Sequence, residues 1–278
     1  MLLSEDFKFN NVLASSLGLK LVRMDSSMFI QEPTIGGANL VEAEHPYDFK
    51  QYLYRVKRDP IEFDLQLALV DSHGQAIEWT LAKKREVMAW LIHNGYREIN
   101  FMDEKGVLED AVYYGIVTSA PIFNTVHNKG YLEFSMRTNS PYAWTKEQTV
   151  TITGSSSSSV SKTITITQPL AVDKVFFRAT FTKVAGWVYS PTNKIYNNVS
   201  SMPVLDRQGQ TYLTEERAND LSSIVFNGKT KTIMAGQSSV YHLRSGGARF
   251  PYLQQGANPV ITPQGWSTEI VFQAPILI

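Results

Sequence analysis

The 278-residue chain contains no cysteine. That absence excludes a disulfide framework, thiolate catalysis, iron–sulfur clusters and Cys-ligated zinc. Net charge is missing too: 26 Lys and Arg balance 26 Asp and Glu, so an overall basic face for nucleic acid is unsupported. No stretch approaches the roughly 18 consecutive apolar residues that a membrane-crossing helix needs. Met1-Leu2-Leu3 runs at once into Ser4, Glu5 and Asp6, without the basic and apolar regions of a signal peptide. The expectation is a chain that stays in the cytoplasm where it is made. Histidine is scarce. His45, His73, His93, His127 and His242 stand at least 20 residues apart, and none shows the i, i+4 spacing that puts two metal ligands on one helix face.

Other chemical signatures are absent as well. No G-x-S-x-G elbow offers a strained nucleophilic serine. Gly36-Gly37 and Gly246-Gly247 lack the further Gly, Lys and Ser or Thr of a phosphate cradle, and read as turns. The pairs Glu42/Glu44, Asp103/Glu104, Glu109/Asp110 and Glu215/Glu216 read as solvated turns. Glycoside hydrolysis needs two carboxyls at a defined separation across a cleft, which sequence neighbours do not provide. Ser155 to Ser159 form a solvated tip with no base nearby. No enzyme activity, cofactor or metal is expected.

What the chain does have is alternation. With 43% apolar and 19% charged residues, it has a folded composition, and its length suits two domains. Phe63, Leu65, Leu67 and Leu69 share one face while Glu62, Asp64 and Gln66 share the other, as a half-buried strand requires. Tyr52, Tyr54 and Val56 alternate just before it, separated from it by Arg58-Asp59-Pro60. Further strands are predicted from Ile99 and Phe101, over Val112–Val117, and through Leu132, Phe134 and Met136. They are bounded by turns at Asp103-Glu104-Lys105-Gly106 and Asn128-Lys129-Gly130. One stretch departs from period two. Leu81, Val87, Met88, Leu91 and Ile92 make a helical stripe, with Thr80 as a candidate N-cap and Gly95 as a candidate C′ residue. The spacing predicts one helix over 80–94, with His93 at the negative end of its dipole.

The pattern stops around Pro141-Tyr142-Ala143-Trp144. A domain boundary is expected at 145–148, dividing residues 1–146 from 147–278. Beyond it, Thr149–Thr153 and Thr163–Thr167 read as two strands joined by Gly154 and the serines, which form a hairpin tip or the edge of a linker. Val175–Phe181, Trp187–Tyr189, Ile224–Phe226, Lys231–Met234, Val240–Leu243 and Thr268–Phe272 are further strand candidates. Asn227-Gly228 is a two-residue hairpin signal, and Glu215–Leu221 is a candidate helical turn. Short strands at this spacing predict a sandwich or jelly roll. Trp187, Tyr189 and Trp266 could line a glycan platform there, or fill a β-core.

Phe7-Lys8-Phe9-Asn10-Asn11 and Ser15 to Leu21 open an order of elements over the first 145 residues that resembles the distal tail proteins of long-tailed (siphovirus) bacteriophages. The resemblance rests as well on the Phe63–Leu69 strand, the helix ending Ala89-Trp90-Leu91-Ile92, and Glu98 to Phe101 with its acidic Gly turn. Tyr113 to Val117, then Leu132 to Arg137 leading into Ser140-Pro141-Tyr142-Ala143, complete the order of elements. Phe250 to Asn258 is similar to the turn before that family's last strands, with Gln where Pro is usual. Gly36-Gly37-Ala38-Asn39 and Tyr47-Asp48-Phe49 replace a basic–acidic–Gly stretch.

The resemblance implies a mainly β (α+β) fold: an N-terminal β-sandwich with one packed helix, then a C-terminal galectin-like jelly roll. It also implies a structural protein of the virion's distal tail, forming a hexameric ring. Such a ring joins the tail tube to the baseplate, hub and receptor-binding proteins, with DNA leaving through its lumen and no membrane insertion. A carbohydrate-binding module contacting cell-wall glycans is the alternative.

Overall fold

A computed structural model of the chain describes residues 6–22, 35–45, 48–102, 110–155, 157–184, 222–241, 250–262 and 265–277. The chain divides into two compact units, Met1–Lys146 with Ile276–Ile278, and Glu147–Pro275. Both are mainly β, and α1 (Leu81–Leu91) is the one α-helix among the described residues.

The first unit is built on a ten-stranded sheet. Its strands are β1 (Phe7–Phe9), β2 (Val12–Leu13), β3 (Leu19–Val22), then β6 (Glu62–Leu69) after the hairpin of β4 (Ala38–His45) and β5 (Asp48–Arg58). β7 (Arg97–Phe101), β8 (Ala111–Val117), β9 (Ile122–Val126), β10 (Lys129–Thr138) and β11 (Ala143–Thr145) complete the run. The order is β2-β1-β7-β8-β10-β6-β3, with β9 on β10, β11 on β8 and the tenth strand, β22 (Pro275–Ile276), on β11. All of the registered pairs are antiparallel. The alternation of β6 is realised directly: Phe63, Leu65, Leu67 and Leu69 are buried while Glu62 and Asp64 face water.

Helix α1 packs on the buried side of this sheet through Val87, Trp90 and Leu91. The Trp90 ring lies 5.6 Å from Phe7 and 5.9 Å from Phe9, and its Nε1–H donates to the Phe9 carbonyl at 3.0 Å. That one bond ties helix to sheet while satisfying a buried indole. Thr80 caps the helix as its position suggests, accepting the Lys83 N–H at 3.2 Å. The predicted stripe needs correction, because Leu81 and Ile92 are exposed. The end does too: Ile92 takes an extended backbone (φ −90°, ψ 114°), so the helix stops before His93 and Gly95 is no left-handed cap. The predicted Asn128-Lys129-Gly130 turn is also displaced by one residue. His127 and Asn128 both have positive φ, 51° and 59°, and Val126 faces Lys129. This is the two-residue turn whose twist suits a hairpin.

The second unit contains a six-stranded sheet: β12 (Gln148–Ile152), β15 (Arg178–Lys183), β16 (Ser223–Asn227), β17 (Thr232–Ala235), β18 (Ser238–Ser239) and β21 (Trp266–Phe272). Its order is β12-β21-β15-β16-β17-β18. Two short pairs accompany it: β13 (Val160–Ile166) with β20 (Gly256–Thr262), and β14 (Val175–Phe176) with β19 (Tyr252–Leu253). Phe181, Phe226, Ile270 and Phe272 fill the core. The buried Thr262 hydroxyl donates to Thr268 at 2.8 Å, joining β20 to β21.

Two predictions change here. Thr149–Thr153 and Thr163–Thr167 are not partners in a hairpin: β12 pairs with β21 and β13 with β20. The serine run is therefore part of a crossover between sheets. Asn227-Gly228 does sit in a hairpin, but Asn227 faces Thr232, giving a four-residue loop. The Asn227 side chain shapes it by accepting the N–H groups of Lys229 and Thr230. The strand predicted at Trp187–Tyr189, the turn at 103–106 and the helical turn at 215–221 lie outside the described residues.

Candidate functional site

The residues singled out for chemistry do not converge. Trp266 is only 4% exposed. Of the two places open to it, it takes the β-core. Trp187 and Tyr189 lie outside the described residues, as do His242, Gly246-Gly247 and the Glu215/Glu216 pair. His73 sits in a turn where its backbone N–H donates to Asp71. His93 lies 3.3 Å through Nε2 from the Asn10 amide, against the Phe9 ring. Asp6 and Asp71 each spend a carboxylate oxygen on two backbone N–H groups, so they shape turns. Among the described residues no group of three His, Asp or Glu could hold a metal ion.

A different feature stands out, and sequence reading only half caught it. Among the described residues, β4 and β5 pair with each other and with no other strand. Burial of alternate residues, which governs β6, is missing from β5: every residue of 51–57 is exposed. Leu40, Tyr52, Leu53 and Val56 are each about half exposed, and Tyr54 is 73% exposed. The register explains why both faces carry apolar groups. Val41 faces Arg55 and Glu42 faces Leu53, so Tyr54 is the extra residue of a β-bulge, which bends and twists the strand. Glu42, Arg55 and Lys57 lie among these side chains, also exposed.

The root of the hairpin is anchored. The Gly36 N–H donates to the Pro141 carbonyl at 2.9 Å, and the Asp59 N–H to the Gly37 carbonyl at 3.0 Å. The Arg58 guanidinium donates to the Gly36 carbonyl at 3.2 Å, and the Asn39 amide to the Asp59 carboxylate. The result is a fixed base carrying an arm that at about 3.3 Å per residue extends ~33 Å along β5.

A second exposed apolar strip lies on β9. This strand pairs only with β10, leaving its other edge open among the described residues. Ile122 is 58% and Val126 74% exposed. On its opposite face, Phe123 meets Trp79 edge-on at 5.0 Å and lies under the Lys84 ammonium.

Residues 3–140 match the family described as phage tail protein N-terminal domain. The chain is a phage tail protein. The tail protein matches no curated protein sequence. Its fold is shared with the SPP1 Dit protein, whose crystal structure is described as a paradigm of the hub adsorption apparatus in phages infecting Gram-positive hosts. The likeness covers 98% of this chain and 99% of that one, at a TM-score of 0.54 and 10% identity. A chain of the phage P2 baseplate, in its activated conformation with Ca, covers 97% of the tail protein and 97% of its own length at a TM-score of 0.49 and 7% identity.

Proposed function

We propose that this tail protein is a non-enzymatic distal tail protein that closes into a hexameric ring in the virion. The ring joins the tail tube to the hub and receptor-binding proteins of the baseplate, and the genome leaves through its lumen. The observation that carries this reading is the β4–β5 hairpin. A two-stranded hairpin is at best marginally stable alone, and one with apolar residues on both faces needs a second surface to cover it. Nothing among the described residues of the same chain does so.

The partner surface suited to it is the β9 edge of the next copy, where Ile122 and Val126 are exposed. Arm and edge are different surfaces of one chain, so the contact is heterologous. Repetition of a heterologous contact gives a ring when the rotation per subunit closes. Binding between copies, rather than a reaction, is then what the fold is built to do.

The test is light-scattering mass after size exclusion, with negative-stain images of the same peak. The expected species is an annulus near six times 31.3 kDa. A Tyr54→Asp, Val56→Asp double variant should run as a folded monomer. Rings that persist in the double variant would reject the hairpin as the joining element, and open filaments in place of annuli would reject closure.

A further inference from the structure

A cluster in the second unit belongs to neither the β4–β5 arm nor the β9 edge. The loop between β16 and β17 ends at Lys231, a residue with φ of 59°. A left-handed backbone is uncommon outside Gly, Asn and Asp, and it marks a position held by its surroundings. The Lys231 ammonium lies 3.0 Å from the centroid of the Phe176 ring and 5.2 Å from that of Phe250. Beside it, the Lys174 ammonium lies 5.0 Å from the Tyr252 ring. Phe176 and Tyr252 face each other across β14 and β19, with ring centroids 6.2 Å apart. Tyr241 stacks on Phe250 at 6.2 Å and is 42% exposed.

Ring faces attract ammonium groups, so either lysine alone could be a structural clamp. Two together are not explained that way. No carboxylate of the described residues pairs with Lys174 or Lys231. Each opposes the other, and burial with Lys174 beside it lowers the pKa of Lys231. Among the described residues, then, two like charges stand together with no carboxylate between them, an arrangement that an anion placed between them would stabilise.

We infer that Lys174 and Lys231, with the Tyr241 ring beside them, form a binding site for a phosphate group carried on a polyol or sugar chain. The two ammonium groups would donate to the phosphate oxygens, and the half-exposed Tyr241 ring would cover the adjoining carbon skeleton. Nucleic acid fits less well. Lys231 already lies over Phe176 and Phe250 and Lys174 over Tyr252, whereas successive bases need several open ring faces.

The test is isothermal titration of the full chain with glycerol phosphate oligomers at physiological salt. Glycerol and an oligodeoxynucleotide of equal phosphate number serve as comparisons. The expected result is saturable binding of the oligomers, weakened at least about tenfold in Lys231→Met and in Lys174→Met and largely retained in Lys231→Arg, which keeps the charge. Matched circular dichroism spectra and melting temperatures establish that the variants are folded. Absence of binding, or equal binding by wild type and both Met variants, would overturn the site. Equal or tighter binding of the oligonucleotide would overturn the polyol assignment.

Discussion

Gly36 is pressed against the backbone carbonyl of Asp59, so closely that no Cβ could occupy the space between them. The contact closes the base of the β4–β5 arm, where chain enters at Gly36 and leaves at Asp59. Gly36→Ala would force these two backbones apart, because the obstacle is carbonyl oxygen rather than a flexible side chain. Overpacking of this kind costs about 1–3 kcal/mol. The expected outcome is a lower urea midpoint together with loss of assembly, since the arm is re-aimed. Gly37→Ala is the control, because open space surrounds that position. Equal behaviour of the two variants would show that the root does not set the arm.

The open edge of β9 separates assembly from stability in the opposite way. Ile122 and Val126 are exposed, so replacing them removes little buried area. Surface substitutions of this type usually fall within about 0.5 kcal/mol of wild type. Ile122→Lys with Val126→Lys is therefore expected to leave the melting temperature nearly unchanged while abolishing ring formation, because lysine on an edge strand opposes pairing. An intact ring in sedimentation velocity would remove β9 from the interface.

Inside the first unit the decisive contact is Trp90 on β1. Trp90→Phe keeps most of the ring stacking on Phe7 and Phe9 but deletes the Nε1–H bond to the Phe9 carbonyl. Loss of one such bond costs about 0.5–1.5 kcal/mol, whereas Trp90→Ala adds a cavity and should cost about 3–5 kcal/mol. Guanidinium unfolding of both variants checks the order. A Phe variant as unstable as the Ala variant would mean that the hydrogen bond, not the ring, dominates.

The same contrasts show what could be read in advance. Strand β6 was legible because burial on one face writes period two into the sequence, and α1 because its apolar residues leave that period. The exposed β5 carries the alternation of Tyr52, Tyr54 and Val56 as well, and periodicity alone cannot say whether an alternating face meets its own core or another chain. Gly36 shows why the arm was missed. It read as an ordinary turn, and the carbonyl that demands glycine comes from Asp59, 23 residues later. The β12 and β13 strands were found, but their partners were not, since β21 and β20 lie about a hundred residues away and local turn chemistry favoured a hairpin. Trp266 stayed open between a glycan platform and the β-core because an aromatic on a strand has two possible faces, and its burial on β21 shows which one it takes. The lysine and ring cluster was illegible because Lys174, Lys231 and Phe250 meet only through the pairing of β14 with β19 and of β16 with β17.

That cluster also sets a pH dependence whose sign can be worked out. Burial, first, and then the charge of Lys174 lower the Lys231 pKa below its ordinary 10.5. Between the lowered folded value and the ordinary unfolded one, the unfolded chain binds more protons than the folded chain. Stability contributed by this group therefore rises with pH across that window, is lowest below it, and levels off above 10.5. Other groups titrate over the same range, so the informative quantity is the difference between wild type and Lys231→Met. Guanidinium unfolding from neutral pH to the upper edge of the window should show wild type gaining on the variant as pH rises. Lys174→Met removes one of the two causes, so the gain should begin at higher pH in that background. A wild-type minus Lys231→Met difference that stays flat, or falls, would mean that the rings stabilise the ammonium more than burial and Lys174 oppose it. The folded protein would then hold the proton more tightly than the unfolded chain does.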